Sequence, residues 1–328
     1  MSAPEVAIDR GRFGFRRLAR LEGLRDYGIV FSFVALFVTL SIASNVFFSK
    51  QNLINILDQW SSTTIIAVGG TLVFIAGGFD LSVGSIYAVA GVVAALSVPH
   101  VGTWGAVLLG FGSGLLCGIV NGLLTTVGRI NAFIATLATS IMIAGIALVL
   151  THGNLISVLT PASFTTLGRG TFLTVPYSVW TLLIFAVVCG FMLARTTLGR
   201  MIYASGGNPE AARLSGVRVG VVRATTFALS GLAAGIAGVI VTSRVATGQA
   251  DSGGLQIALD AVAGIVIGGT SIMGGAGAVW RTVLGVMMLA MIGNGFNLLN
   301  VDSTYQRIFE GAIILFAVGV DAWSRRSA

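Results

Sequence analysis

Residues 81–128 read LSVGSIYAVAGVVAALSVPHVGTWGAVLLGFGSGLLCGIVNGLLTTVG, 48 positions without a formal charge between Asp80 and Arg129. A helix crosses the hydrocarbon core of a bilayer, about 30 Å thick, with about 20 apolar residues. The stretch is therefore too long for one crossing and long enough for two. Pro99-His100 with Gly102 supplies the turn, because proline cannot continue a hydrogen-bonded helix and glycine accepts the conformations a reversal needs. The predicted spans are Leu81 to Val98 and Trp104 to Val127.

Working outward, apolar stretches predict further spans at Gly28 to Phe48, Gln59 to Phe79, Ile130 to Thr151, Phe172 to Ala194, Ala224 to Ser243, Ala261 to Trp280 and Thr282 to Val301. A tenth, Tyr305 to Trp323, is interrupted by Arg307 and Glu310. The fold class expected is all-α: a polytopic transmembrane helical bundle of about ten spans. Composition agrees, with 55% hydrophobic and 9% charged residues and a mean hydropathy of +0.94, values that exclude a soluble globular domain of this length. The 45 glycines suit spanning helices that must approach closely.

Basic residues set the orientation, since loops on the cytoplasmic side carry the arginine and lysine excess. With the N-terminus inside and ten spans alternating, 15 of the 19 basic residues fall in the cytoplasm; Lys50, Arg169, Arg244 and Arg307 fall outside. The domain plan is a cytoplasmic tail over 1–26, a transmembrane domain over 27–323 and a second cytoplasmic tail over 324–328. The net charge of +7 then reflects membrane topology, with anionic lipid at the inner face as a lesser contributor, and needs no nucleic acid. The arginine-bearing N-terminus followed by a long apolar run reads as a signal anchor rather than a cleaved signal. Cys117 and Cys189 both lie inside predicted spans and read as small buried hydrophobes. His100 and His152 have no Cys, Asp or Glu at ligand spacing, so no metal site is expected.

Five arginines, Arg195, Arg200, Arg213, Arg218 and Arg223, mark the long loop 195–223 between two apolar runs. Within it, Asn208 is a good N-cap, Pro209 fits the first helical position, Glu210 lies in the positive first turn and Gly216 can close the C-terminus. A helix of about two turns follows, too short to be stable in water unless flanking spans or a docked protein hold it. Ala211, Ala212 and Leu214 offer a smooth apolar surface. A plain connection between spans is the alternative.

Asp80 is the only acidic residue between Asp58 and Glu210, and a carboxylate at the bilayer centre costs about 2.5 to 3.5 kcal/mol on insertion scales. It either caps the helix that starts near Leu81 and Ser82, or lines a gate or translocation path. Uncharged polar side chains within spans suit a neutral hydroxylated solute: Asn121, Asn131, Thr136, Thr139, Ser140, Asn294, Asn297 and Asn300. Hydrogen bonding between helices explains each of them equally well. Phe79, Phe133 and Phe296 could gate or stack. A weak repeat, Gly77-Gly78 with Gly84 and Gly268-Gly269 with Gly275, suggests two structurally related halves.

The segment Ala76 to Ser85, the segment Asn131 to Leu137, the Asn208 to Gly216 loop, and Gly268-Gly269-Thr270-Ser271 through Gly295 to Leu299 together resemble the permease subunit of bacterial sugar ABC importers of the ribose and xylose type. The resemblance runs from about Asp26 to Asp321; Ala132 stands where the family often has proline. It implies a homodimer in the bacterial inner membrane, an ATP-binding subunit on a separate chain, and a periplasmic sugar-binding protein. The chain has one lysine, Lys50, and no phosphate-cradling loop. ATP and magnesium are therefore expected on the partner ATPase, this chain being no enzyme and binding no cofactor. The resemblance also makes the Asn208 to Gly216 element a coupling helix, with Gly207, Asn208, Glu210, Ala211, Ala212, Arg213 and Gly216 facing the ATPase. Glu210, Arg213, Arg218 and Arg223 are then available for ion pairs. Path or gate candidates are Asp80, Ser82, Phe133, Thr136, Asn294 and Asn297. An ion-coupled carrier or channel for a small polar solute is the competing class. The particular sugar stays open.

Overall fold

In a computed structural model the helices stop where the sequence carries glycine, proline or a polar cap. The structure describes residues 12–302, with side chains from Gly28 onward, and beyond them Tyr305, Ile308, Phe309, Gly311, Ala312, Leu315 and Gly319. The helices among these residues are α1 (Arg12–Ala43), α2 (Lys50–Ile75), α3 (Val83–Thr126), α4 (Ala132–Thr151), α5 (Ala162–Arg169), α6 (Tyr177–Arg195), α7 (Thr197–Gly207), α8 (Pro209–Leu214), α9 (Val219–Val245), α10 (Gly254–Ile267) and α11 (Val279–Leu298). Four two-residue strands form two antiparallel pairs. β1 (Ile156–Ser157) pairs with β4 (Thr247–Gly248), and β2 (Thr171–Phe172) with β3 (Val175–Pro176). Both pairs lie at the end of the bundle away from α7 and α8.

The charge-free stretch is a hairpin, as its length requires. Gly102 leaves helical geometry at φ 70 and ψ −178, and the two limbs of α3 then run antiparallel. Asn121 Nδ2 donates to Ser82 Oγ at 2.7 Å, which joins the end of the second limb to the start of the first. Both limbs pack on α9. Gly110, Gly114, Gly118 and Gly122 recur every fourth residue on one face of the second limb, and all four press against α9. A Cβ on Gly114 would stand 2.5 Å from the Gly231 carbonyl oxygen, so these two backbones meet only without side chains. Around this contact the buried Ile65, Ile86, Ala234, Ala261 and Ile265 build the central core.

Among the described residues, five helices are long and apolar enough to cross a membrane, with α3 counted once. Predicted spans and helices coincide closely at α4, α6, α9 and α11 and diverge elsewhere. Helix α1 begins at Arg12, inside the predicted tail, and ends at Ala43 rather than Phe48. Helix α2 starts early because the Ser49 hydroxyl accepts the Asn52 amide at 3.2 Å, and it stops at Ile75 rather than Phe79. The predicted span Ala261 to Trp280 is not one helix. Its first part, residues 261–267, is the end of the 14-residue α10, which is about 21 Å long at 1.5 Å per residue; residues 268–278 are irregular, and Val279 and Trp280 begin α11. Residues 1–11, 324–328 and most of Tyr305 to Trp323 lie outside the described residues. Helices α5 and α7 were not anticipated.

Candidate functional site: two glycine breaks and the linker that holds them

Two helices end in the same cap. After α2, the Gly77 amide bonds to the Phe74 carbonyl at 2.9 Å and the Gly78 amide to the Val73 carbonyl at 2.9 Å. After α10, the Gly269 amide bonds to Val266 at 2.8 Å and the Thr270 amide to Ile265 at 3.2 Å. Gly77 (φ 77) and Gly269 (φ 74) take the left-handed conformation that this paired-carbonyl cap needs and that glycine adopts without a Cβ penalty. The shared cap sets Gly77 beside Gly269, one residue off the spacing read from the sequence, which aligned Gly77 with Gly268. The third glycines of that spacing do not correspond either. Gly84 sits in the first turn of α3, whereas Gly275 lies in the irregular segment.

The two breaks meet each other and the α7–α8 linker. The Gly275 amide donates to the Ile75 carbonyl at 2.9 Å, and a Cβ on Gly206 would fall 2.7 Å from that same amide nitrogen. Two side chains complete the junction. Arg223, near the start of α9, donates from Nε to the Ala76 carbonyl at 3.0 Å and from Nη2 to the Ser205 carbonyl at 3.3 Å. Its cation thus lies against the carbonyl-rich C-terminal ends of α2 and α7, where the helix dipole favours positive charge. Tyr203 on α7 donates its hydroxyl to the Gly277 carbonyl at 2.8 Å. One linker helix is thereby tied to both breaks.

Helix α8 matches its sequence signals residue by residue. The Asn208 side chain accepts the Ala211 amide at 3.0 Å, Pro209 is the first helical residue, and Gly216 (φ 84) turns the chain after it. Glu210 and Arg213 pair with each other at 3.3 Å, both well exposed. Ala211 and Leu214 face outward, Leu214 with 83% exposure, but Ala212 is turned inward and buried, so it does not belong to the outward apolar surface expected of it. Arg223 differs from expectation: it points inward to carbonyls, because two helix ends converge on it.

Asp80 follows the first break and is buried, as are Ser82, Asn121 and Ser230 around it. Its Oδ1 accepts the Ser82 amide at 3.0 Å and the Ser82 hydroxyl at 2.6 Å, and its Oδ2 accepts the Ser230 hydroxyl at 2.9 Å. The carboxylate therefore fixes the chain just ahead of α3, where Ser82 is the N-cap, and ties it to α9 through Ser230. Ser230 lies seven residues beyond Arg223 on α9, or about 10 Å deeper at 1.5 Å per residue. Thr136 on α4 accepts the Leu81 amide at 3.2 Å and is buried. Phe79 stacks between Phe74 and Phe133, with ring centroids 4.9 and 5.8 Å apart, and Phe133 is half exposed.

The other candidates separate by partner. Asn294 exchanges two amide hydrogen bonds with Asn52, at 3.0 and 2.9 Å, so it fastens α11 to α2 rather than facing open space. Asn297, one turn away, is exposed. Thr71 and Thr282 share a hydroxyl bond of 2.7 Å between the same helices, and Ser85 with Ser140 one of 2.9 Å between α3 and α4. Asn52, Ser230 and Tyr203 escaped the sequence reading. Their only signal was a polar residue type in or beside an apolar run. Among the described residues no three His, Cys, Asp or Glu side chains converge to hold a metal.

The family described as "Branched-chain amino acid transport system / permease component" matches residues 52–318. The ribose import permease protein of Haemophilus influenzae is 40% identical over 300 residues, covering 88% of this chain and 92% of that protein. That of Bacillus subtilis is 40% identical over 288 residues, covering 87% and 89%. The L-arabinose ABC transporter permease protein of Azospirillum brasilense is 36% identical over 331 residues, covering 98% and 94%. No solved structure matches the chain.

Proposed function

The chain belongs to the family of transport-system permease components that includes the ribose and L-arabinose import permeases, and from that membership we propose that it forms the membrane path of a sugar ABC importer in which the α7–α8 linker receives the stroke of a separate ATPase. The substrate class is a monosaccharide or related polyol, delivered by a periplasmic binding protein. ATP and magnesium are handled by the partner subunit. Two permease copies make the path, each with ten spans in two related halves and with both termini in the cytoplasm of a bacterial inner-membrane protein.

The observation that carries this reading is the junction at the arginine end. A short helix capped by Asn208 and presenting Leu214 outward continues from α7, and α7 is hydrogen-bonded to the second glycine break through Tyr203 and bridged to the first by Arg223 of α9. Displacing it shifts the ends of α2 and α10 together, as a rigid lever would. Asp80 then acts as a fixed strut of the path wall, with Phe79 and Phe133 as the movable aromatic closure beside it.

Cysteine labelling of Ser215→Cys in intact cells tests the sidedness: it is expected to react only with membrane-permeant reagents, and reaction with an impermeant reagent would end the lever assignment. Co-purification tests the docking. Glu210→Lys combined with Leu214→Asp, both at exposed positions, is expected to strip the ATPase from the complex while the permease stays in the membrane. Sugar uptake that persists without any ATPase would instead favour an ion-coupled carrier.

A further inference from the structure

The arginine end also holds a cleft of about 1510 Å³ between the end of α3, the start of α4 and the start of α9. Four arginines line it, Arg129, Arg213, Arg218 and Arg223, and no Asp or Glu does. Arg223 is engaged by the Ala76 and Ser205 carbonyls, and Arg213 by Glu210. Arg129 and Arg218 are exposed, and among the described residues their side chains have neither a hydrogen-bond nor an ion-pair partner. The cleft opens where α3, α4 and α9 end. All three are long and apolar enough to cross a membrane, so it stands at the level where hydrocarbon gives way to headgroups. From Ile130 at its rim an apolar strip runs down α4 through Ile134, Leu137 and Ile141, all exposed, the last three spaced three and four apart on one helix face.

Cations at headgroup level above an apolar strip at acyl-chain level are complementary to one class of molecule. We propose that the cleft binds the phosphate of an anionic glycerophospholipid, held by Arg129 and Arg218, with its acyl chains along the outer face of α4. A second copy of this chain is a poorer occupant, because a self-complementary contact at this patch would bring arginine toward arginine. The proposal rests on the membrane reading; the cleft shares Phe79 and Phe133 with the proposed path closure and Arg213, Gly216 and Arg218 with the ATPase-facing element, so ATPase binding is read on the same variants.

The test uses the full-length permease, purified without partners and exchanged into nanodiscs of phosphatidylcholine containing a minor fraction of phosphatidylglycerol. Lipid retained after detergent challenge is counted by native mass spectrometry. Wild type is expected to retain phosphatidylglycerol over phosphatidylcholine, and Arg129→Ala with Arg218→Ala to bind it about thirtyfold more weakly, which is about 2 kcal/mol for two interfacial arginines. The control Arg195→Ala with Arg200→Ala removes the same charge from the same end but outside the cleft, and is expected to behave as wild type. Should the double alanine variant fold poorly, Arg218→Gln alone is expected to show about half the effect on the logarithmic scale. Equal retention of the two lipids, or equal losses in cleft and control variants, overturns the proposal. So does loss of ATPase binding or of permease self-association in the cleft variant with phosphatidylglycerol retention unchanged, since that would give the cleft to a protein partner.

Discussion

The two glycine breaks start from the same cap and are held in opposite ways. The first, residues 76–82, is seven residues long and is fixed by side chains: Asp80 to Ser82 and Ser230, and Thr136 to the Leu81 amide. The second, residues 268–278, is eleven residues long, carries no charge, and is held through backbone groups: Ser271 amide to Ala276 carbonyl, Gly275 amide to Ile75 carbonyl, Gly277 carbonyl to Tyr203. It even buries a Thr270 hydroxyl that has no partner among the described residues. Bonds to a buried carboxylate are worth about 1.5 to 3 kcal/mol each, and neutral ones about 0.5 to 1.5. The first break is therefore the more firmly held; in the proposed lever it is the fixed wall and the second is the part that yields when α7 moves.

The strongest challenge to that contrast is Asp80→Ala. It leaves the Ser82 and Ser230 donors without their acceptor in a buried site, and a loss of about 3 to 5 kcal/mol is expected, read as a lower unfolding midpoint and loss of transport. Asp80→Asn separates a strut from a proton carrier. An amide oxygen still accepts from Ser82 and the amide nitrogen can donate to Ser230, so substantial transport is expected to survive; complete loss with normal folding would make Asp80 a titrating group and break the fixed-wall reading. Next in size is Arg223→Ala, which releases the first break from α7. Transport is expected to fall about tenfold, the equivalent of about 1.4 kcal/mol, while the ATPase stays bound and hydrolyses ATP without matching sugar movement. An unchanged ratio of ATP hydrolysed to sugar moved would show that Arg223 merely stabilises the junction.

Apolar length made most of the membrane helices legible, and the position of Gly102 followed from proline and glycine within one charge-free run. The α8 helix was readable because cap, first turn and closure are all local chemistry: Asn208, Pro209, Glu210 and Gly216 act within a few residues of one another. The breaks were not. Residues 268–278 are apolar enough to pass for part of a span, and only backbone torsion at Gly269, Gly274 and Gly275 marks them as irregular. The pairing of Asn294 with Asn52, across 242 positions, needs tertiary structure, so its side chain read equally well as path lining. The glycine stripe from Gly110 to Gly122 was visible as spacing, but its meaning depended on knowing that α9 lies opposite.

The smaller effects probe the second break. Tyr203→Phe removes one neutral hydrogen bond to the Gly277 carbonyl, and a loss of about 1 kcal/mol is expected, seen as a severalfold drop in transport per ATP hydrolysed and a modest drop in unfolding midpoint. Thr270→Val is the limiting case. The hydroxyl is buried, with no hydrogen-bond partner among the described residues, so replacing it by a methyl group of similar volume removes a desolvated polar atom without stranding another. Neutral or slightly raised stability is expected, within about 0.5 kcal/mol. If the added order also narrows the motion of residues 268–278, the transport rate falls while stability rises, as it does wherever activity needs a yielding segment. A stability loss above about 2 kcal/mol would show instead that Thr270 makes a bond essential to the fold, and the second break would then be as fixed as the first.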